Sequence, residues 1–260
     1  MQGHQKFGRS VVAVIVGVVG LMVAAMTPVV QAGSRNPNPR VLPPHSNAYG
    51  NTYGEWSAKW WQWAFSLPVG AHPLFNTADC SAGQSGKVFF LGGTFVTTED
   101  PSGIVVGAAE RNCTVPTGKA LFFPIINSEC STLEGNGATD AELRECAEFF
   151  QDHALDLEAT IDGVPIQDLE RYRVQSPLFT YGPLPADNVL QSFEVSGAVQ
   201  GATSPAVADG VYLLLSPLSV GQHTILFSGR QFFSTAEGDP FDFEFKLDII
   251  YHLTVTPGKP

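Results

Sequence analysis

The segment 241–256, FDFEFKLDIIYHLTVT, constrains the fold more than any other part of the chain. Phe241, Phe243, Phe245, Leu247, Ile249, Tyr251, Leu253 and Val255 take every odd position, and the even positions are mostly charged or polar. Successive side chains of a strand point to opposite faces, so this period of two predicts one long strand, or two joined by a bulge, with a single face on a core. The same period returns in ALDLEATIDG, where Leu155, Leu157, Ala159 and Ile161 alternate with polar residues and Asp162-Gly163 supplies a hairpin-type turn. KVFFLGGTF (87–95), GIVVGAA (103–109), KALFFPIIN (119–127), RYRV (171–174), SFEV (192–195), GVYLLLS (210–216) and GQHTILFSG (221–229) read as further strands between Gly, Pro and polar turns. The expected fold is mostly β, a β-sandwich or jelly-roll-like arrangement.

Two segments break this period. In YGEWSAKWWQWAF all four tryptophans of the chain fall together, and Glu55, Lys59, Gln62 and Ser66 recur at helical spacing as one narrow polar stripe. Thr52 and Glu55 form a capping-box pattern, and Pro68 ends the run. A helix apolar around most of its circumference is normally buried against something larger. Trp56, Trp60, Trp63 and Leu67 form the main stripe and Trp61 a flank. Burial of this stripe is the expected role, and a ligand platform built from Trp56, Trp60 and Trp63 is the competing one. Thr139 and Glu142 mark a second box, followed by Leu143, Cys146, Ala147 and Phe150 on one helical face. Two accessory helices are therefore expected, near 53–66 and 140–152.

The chain opens with Lys6 and Arg9, runs apolar from Val11 to Met26, and offers Val30-Gln31-Ala32 as a small-x-small cleavage pattern. That is the grammar of a signal peptide over residues 1–32, cut after Ala32, with an uncleaved anchor as the alternative. Residues 33–50 begin with a proline-rich stretch and read as an extended spacer, leaving 51–257 as one folded domain. Loss of Lys6 and Arg9 with the leader takes the formal charge from −11 to −13. Such an acidic balance speaks against nucleic acid and anionic membranes as partners. Cys80, Cys113, Cys130 and Cys146 all follow the leader, an even count that suggests two disulfides in an exported chain. Three pairings exist. Cys80–Cys113 and Cys130–Cys146 each close a local loop and are the expected pair, while the spacings lack the close pairs of a zinc site.

The blocks GEWSAKWWQWAFSLP, GQSGKVFFLGGT, CTVPTGKALFFPIINSEC, IDGVPIQDLERYRVQSP and LSPLSVGQHTILFSG resemble those of a family of secreted, uncharacterised bacterial proteins. The likeness covers most of residues 53–255. It implies export and one continuous folded unit, and it implies no activity, cofactor or site residue.

No HExxH, P-loop, GxGxxG or EF-hand loop is present. Ser85 in AGQSGKV only superficially resembles a nucleophile elbow, because the glycine falls one place early and a strand follows. His223 shares the parity of the apolar residues of its strand, and His252 falls on the polar face of another. Asp100, Glu129, Glu134 and Asp140 are scattered acidic candidates. Glu237, Asp239, Asp242 and Glu244 are the one local cluster, with Glu237, Asp239 and Asp242 candidates for a structural calcium ion and a solvated acidic face the plainer account. Asn112-Cys113-Thr114 matches a glycosylation sequon. Two functions are consistent with this inventory. One is a non-catalytic extracellular module that binds a glycan, a protein or copies of itself. The other is a secreted hydrolase whose carboxylates converge only in the fold.

Overall fold

The computed structural model describes residues 36–257 apart from Pro39 and Thr77. The signal segment and its cleavage site lie outside the described residues, as do the first residues of the spacer. The described chain is mostly β, with two sheets, two longer helices and two disulfides.

One sheet runs β1 (Val88–Phe90), β4 (Ala120–Ser131), β9 (Ser204–Leu215), β7 (Arg173–Gln175), and β8 (Phe179–Tyr181) pairs with the start of β9. The other runs β2 (Thr98–Glu99), β3 (Val105–Pro116), β11 (Phe243–Thr256), β10 (Gly221–Phe233), β5 (Ala154–Ile161), β6 (Val164–Pro165). β1 with β4 and β3 with β11 are parallel pairs, and all other pairs are antiparallel. The alternation in 241–256 becomes one strand in register with β10 over its whole length, and Leu247, Ile249, Tyr251, Leu253 and Val255 are its buried set. Asp162 and Gly163, with φ of 52° and 74°, make the hairpin turn between the paired Ile161 and Val164.

β4 is buried on both faces, which is why its sequence is a continuous apolar run rather than an alternating one. Phe123 stacks on Phe227 of β10 with ring centroids 5.3 Å apart. Phe122 turns the other way, to Tyr53 at 6.0 Å and Trp56 at 6.4 Å. The layers are therefore the six-stranded sheet, the five-stranded sheet, and helix α1 (Tyr53–Ser66) on the outer face of the latter. Thr52 and Glu55 close the capping box at the start of α1, with Thr52 N–H donating to Glu55 Oε2 at 2.7 Å. Helix α2 (Asp140–Asp152) is tied to β4 by Cys130–Cys146, and its Leu143 and Ala147 form a small separate cluster with Cys130 and Val207.

Three expectations need correction. SFEV is not a strand: Asn188 and Gln191 form a third capping box, a short helix α3 (Val189–Ser192) follows, and Phe193 comes out of it half exposed. A local side-chain cap there outcompetes a weak alternation. RYRV begins as a helical turn over Leu169–Tyr172 and extends only from Arg173. The part of the spacer that is described is not loose. Val41 is buried and bridges Leu215, Leu42 N–H donates to Leu214 O at 2.8 Å, and buried Asn38 donates to Gln167 O and Tyr172 Oη. Two apolar residues and one asparagine fix this strap, because each finds a partner that the proline content says nothing about.

Candidate functional site

Helix α1 decides where a ligand has access. Trp56, Trp60, Trp61 and Trp63 are exposed by only 9%, 2%, 8% and 6%. Three indole N–H groups are used inside the protein: Trp56 donates to Ala48 O at 2.9 Å, Trp60 to Leu91 O at 2.6 Å and Trp63 to Ala82 O at 3.1 Å. Trp61, read as a flank, is buried too. Its N–H lies beside the Tyr212 hydroxyl without reaching hydrogen-bond geometry. Rings satisfied in this way are core, and none offers a free flat face of the kind a stacking platform needs.

The polar stripe is where it was expected. Glu55, Lys59, Gln62 and Ser66 are exposed along the outside of α1. Beside it runs the loop Gly83–Lys87, and between the two lies a groove of about 430 Å³. Lys59, Gln62 and Ser66 form one wall, Ser85 and Lys87 the other, and the exposed margins of Trp56, Trp63 and Phe90 form the floor. The loop is held in three ways. Cys80–Cys113 fastens its start to β3. Gln84 donates to Cys80 O and Phe90 O and accepts from Phe90 N–H. Lys119 donates to Gly86 O. Gly83 is required, because its φ is 67° and a Cβ there would stand 2.8 Å from Leu67 Cδ2 and 3.0 Å from Trp63 Nε1. The sequence had marked one wall as a polar stripe and had singled out Ser85 in the other. Nothing in it showed that the two lie side by side.

A second cavity of about 260 Å³ is lined by Trp60, Trp61, Phe95, Phe193, Phe245 and neighbouring residues. It is mainly apolar, with Asn127 as a polar contributor that already donates to Tyr212 Oη.

The other candidates are placed as follows. Ser85 lies exposed in the groove wall, and among the described residues no histidine or carboxylate bonds to it. His223 is buried against Asp162 and Ser219, and His252 meets Glu110 at 2.7 Å. Asp100 caps its own turn through Ser102 and Ile104 N–H, and Asp140 pairs with Arg144. Asp239 bonds to His153 and to Ser234 N–H, while Asp242 binds Thr235 N–H and its hydroxyl, so these carboxylates organise one loop. Among the described residues no three His, Cys, Asp or Glu side chains are gathered as a metal site, and Glu237, Asp239 and Asp242 do not converge.

The structure brings Glu134 near Glu129, whose Oε1 is buried without a hydrogen-bond partner. Burial first, then the nearby Glu134 carboxylate, push the Glu129 carboxyl well above the usual carboxylate range. Ser131 Oγ donates to Glu134 Oε2 at 2.6 Å and lies 3.0 Å from Tyr181 Oη.

No family model, curated protein or solved structure matches the chain. Two disulfides fit an oxidising compartment, extracellular or periplasmic. Among the described residues no helix is long and apolar enough to cross a membrane.

Proposed function

We propose that the protein is exported by its N-terminal leader and works as a non-catalytic extracellular module that binds a carbohydrate chain in the groove beside α1. The observation that carries this reading is the lining of that groove. Ammonium, amide and hydroxyl groups of Lys59, Lys87, Gln62, Ser66 and Ser85 stand over an aromatic floor on a loop fastened at three points. Sugars are bound by such a mixture, with polar groups meeting hydroxyls and aromatic edges meeting the apolar C–H surface. A rigid wall also reduces the ordering cost of binding.

No carboxylate lines the groove, so the reading is binding rather than glycoside hydrolysis there. Self-assembly through sheet edges is disfavoured by their length. The edge strands β1, β2, β6, β7 and β8 are two or three residues long, and short edges are poor templates for added strands.

A glycan array probed with the mature chain tests the proposal, paired with Ser66→Trp, which fills the groove from an exposed position. The expected result is binding to one glycan class, lost in Ser66→Trp at an unchanged thermal midpoint. Binding that survives the filled groove, or no glycan bound at all, would overturn it.

A further inference from the structure

The charges of the protein are distributed unevenly in a way that bears on the ligand. Arg40, Arg144, Arg171, Arg173, Arg230 and Lys246 each hold a carboxylate within ion-pair distance. Arg173 holds two, Asp152 and Asp209. Among the described residues the cations without an ion pair are Arg111, Lys59, Lys87 and Lys119. Arg111 is buried, with its guanidinium over the Tyr251 ring and donating to Asn76 Oδ1 and Gly93 O. Two of the three lysines, Lys59 and Lys87, line the α1 groove from helix and loop. Lys119 donates to Gly86 O, the residue before Lys87, and itself lines a neighbouring pocket with Asp79.

In a chain with 25 Asp and Glu against 14 Lys and Arg, unpaired cations are the scarce species. Two of them, Lys59 and Lys87, share one groove whose lining holds no carboxylate, which brings like charges together and disfavours folding slightly. The acidic residues closest in sequence are occupied by their own backbone. Glu55 is held by Thr52 in the capping box, and Asp79 by the Ser81 N–H and hydroxyl. Their acceptor hydrogen bonds keep both carboxyls ionised, below the usual carboxylate range. Both carboxylates keep their charge, and Glu55 lies close enough to Lys59 to feel it, so the positive character belongs to the groove lining itself, where Lys59 and Lys87 stand with no carboxylate.

We infer that the ligand is an anionic glycan, a chain whose sugars carry carboxylate or sulfate groups, with Lys59 and Lys87 engaging the acidic substituents from opposite walls. This inference rests on the reading of the groove as the carbohydrate site. Ser85, together with the acceptor oxygens of Gln62 and Ser66, whose donors are held by Thr180 O and Trp63 O, then takes sugar hydroxyls, which a polyanion lacking sugar would leave unused. An acidic surface elsewhere repels such a chain, so the field confines it to this groove in one lane.

The experiment compares polygalacturonate, its fully methyl-esterified form, dextran, dextran sulfate and poly-glutamate by titration calorimetry against the mature protein. Polygalacturonate or dextran sulfate is expected to bind at least about tenfold more tightly than its neutral counterpart, the size of one or two charge-assisted hydrogen bonds. That preference shrinks several-fold as salt rises from roughly 0.05 to 0.3 M, since the groove is open to screening ions. Which polymer binds tells carboxylate from sulfate. Lys59→Gln/Lys87→Gln is expected to lose the preference at an unchanged melting midpoint, and Lys246→Gln to keep it. Equal binding of charged and neutral chains overturns the anionic inference and leaves the binding module standing. Absence of binding to all five overturns both. Poly-glutamate binding as tightly as the acidic glycans overturns the assignment to sugar.

Discussion

Helices α1 and α2 start alike and are held by opposite means. Each opens with a Thr-x-x-Glu capping box made in full, and each is about the same length. α1 buries Tyr53, Trp56, Ser57, Ala58, Trp60, Trp61, Trp63, Ala64 and Phe65, whereas α2 buries only Leu143, Ala147 and Gln151. The first is fixed by aromatic packing on the face of a sheet, at roughly 2 kcal/mol or more for each large ring. The second is fixed by the Cys130–Cys146 bond and by side-chain bonds to its backbone, Gln175 Nε2 to Arg144 O and Arg173 Nη2 to Glu148 O. Capping thus sets where a helix begins, and says nothing about what retains it. The amount of apolar surface a helix can bury decides whether it needs a covalent staple.

The largest expected effect tests the aromatic half of this contrast. Trp60→Ala should destabilise the protein by about 3–5 kcal/mol, since it removes the most deeply buried of the four indoles and orphans Leu91 O. Trp61→Ala should cost less, because Trp61 is less deeply buried and its N–H gives up no hydrogen bond. Chemical denaturation of both variants checks the order, and the reverse order would place the core on the other flank of α1.

Next comes the staple. Cys130→Ala/Cys146→Ala opens a link of sequence separation 16 and should cost about 3 kcal/mol in the chain-entropy account. Hydrogen exchange should quicken in α2 and stay slow in α1. Uniform loss of protection in both helices would show that α2 belongs to the same cooperative unit as α1.

A third effect comes through protons. His72 sits at the end of α1, fully buried, with Nε2 donating to Ala64 O and Nδ1 accepting from Leu74 N–H. Both ring nitrogens are satisfied by the neutral ring, and burial above all pushes its pKa down to about 4. A depressed folded-state value means stability present above the unfolded histidine pKa and lost as pH falls through the window down to about 4. Between pH 7 and pH 5 the loss should reach roughly 2 kcal/mol. Glu129 acts in the opposite sense. Its raised value means the folded state holds the proton more tightly, so its penalty grows as pH rises from the usual carboxylate range. Glu129→Gln should therefore be more stable than wild type at pH 7 and lose more on acidification to pH 5. Urea titrations at the two pH values test both signs, and a wild-type protein equally stable at each with an unchanged Glu129→Gln curve would refute them.

The smallest effect sharpens the comparison at its shared feature. Thr52→Ala and Thr139→Ala should each cost about 1 kcal/mol, the usual value of an N-cap. Exchange at the first turn should quicken more in α2, which has less packing to hold a frayed end. A clearly larger stability loss for Thr52→Ala than for Thr139→Ala would mean that the cap of α1 also positions its tryptophans.

The sequence by itself determined the elements whose cause is local. Period-two alternation yielded β11 and its buried face, two capping boxes yielded the starts of α1 and α2, and the cysteine spacing favoured the pairs that are present. It also showed that α1 had to be buried, since its polar stripe is too narrow for a surface helix. Where several weak local signals competed it failed, as at SFEV, where a capping asparagine prevailed, and in the strap at Val41. Tertiary structure alone decided which sheet covers α1, how β4 came to be buried on both faces, and which strands became neighbours. It alone set Glu134 near the buried Glu129 carboxyl, and placed Lys59 and Lys87 in one groove. The reason is physical. Backbone periodicity and capping act over a few residues and are written in neighbouring letters. Proximity between distant segments depends on how whole sheets pack, and the charge left unpaired in a groove is known only once every other cation has found its carboxylate.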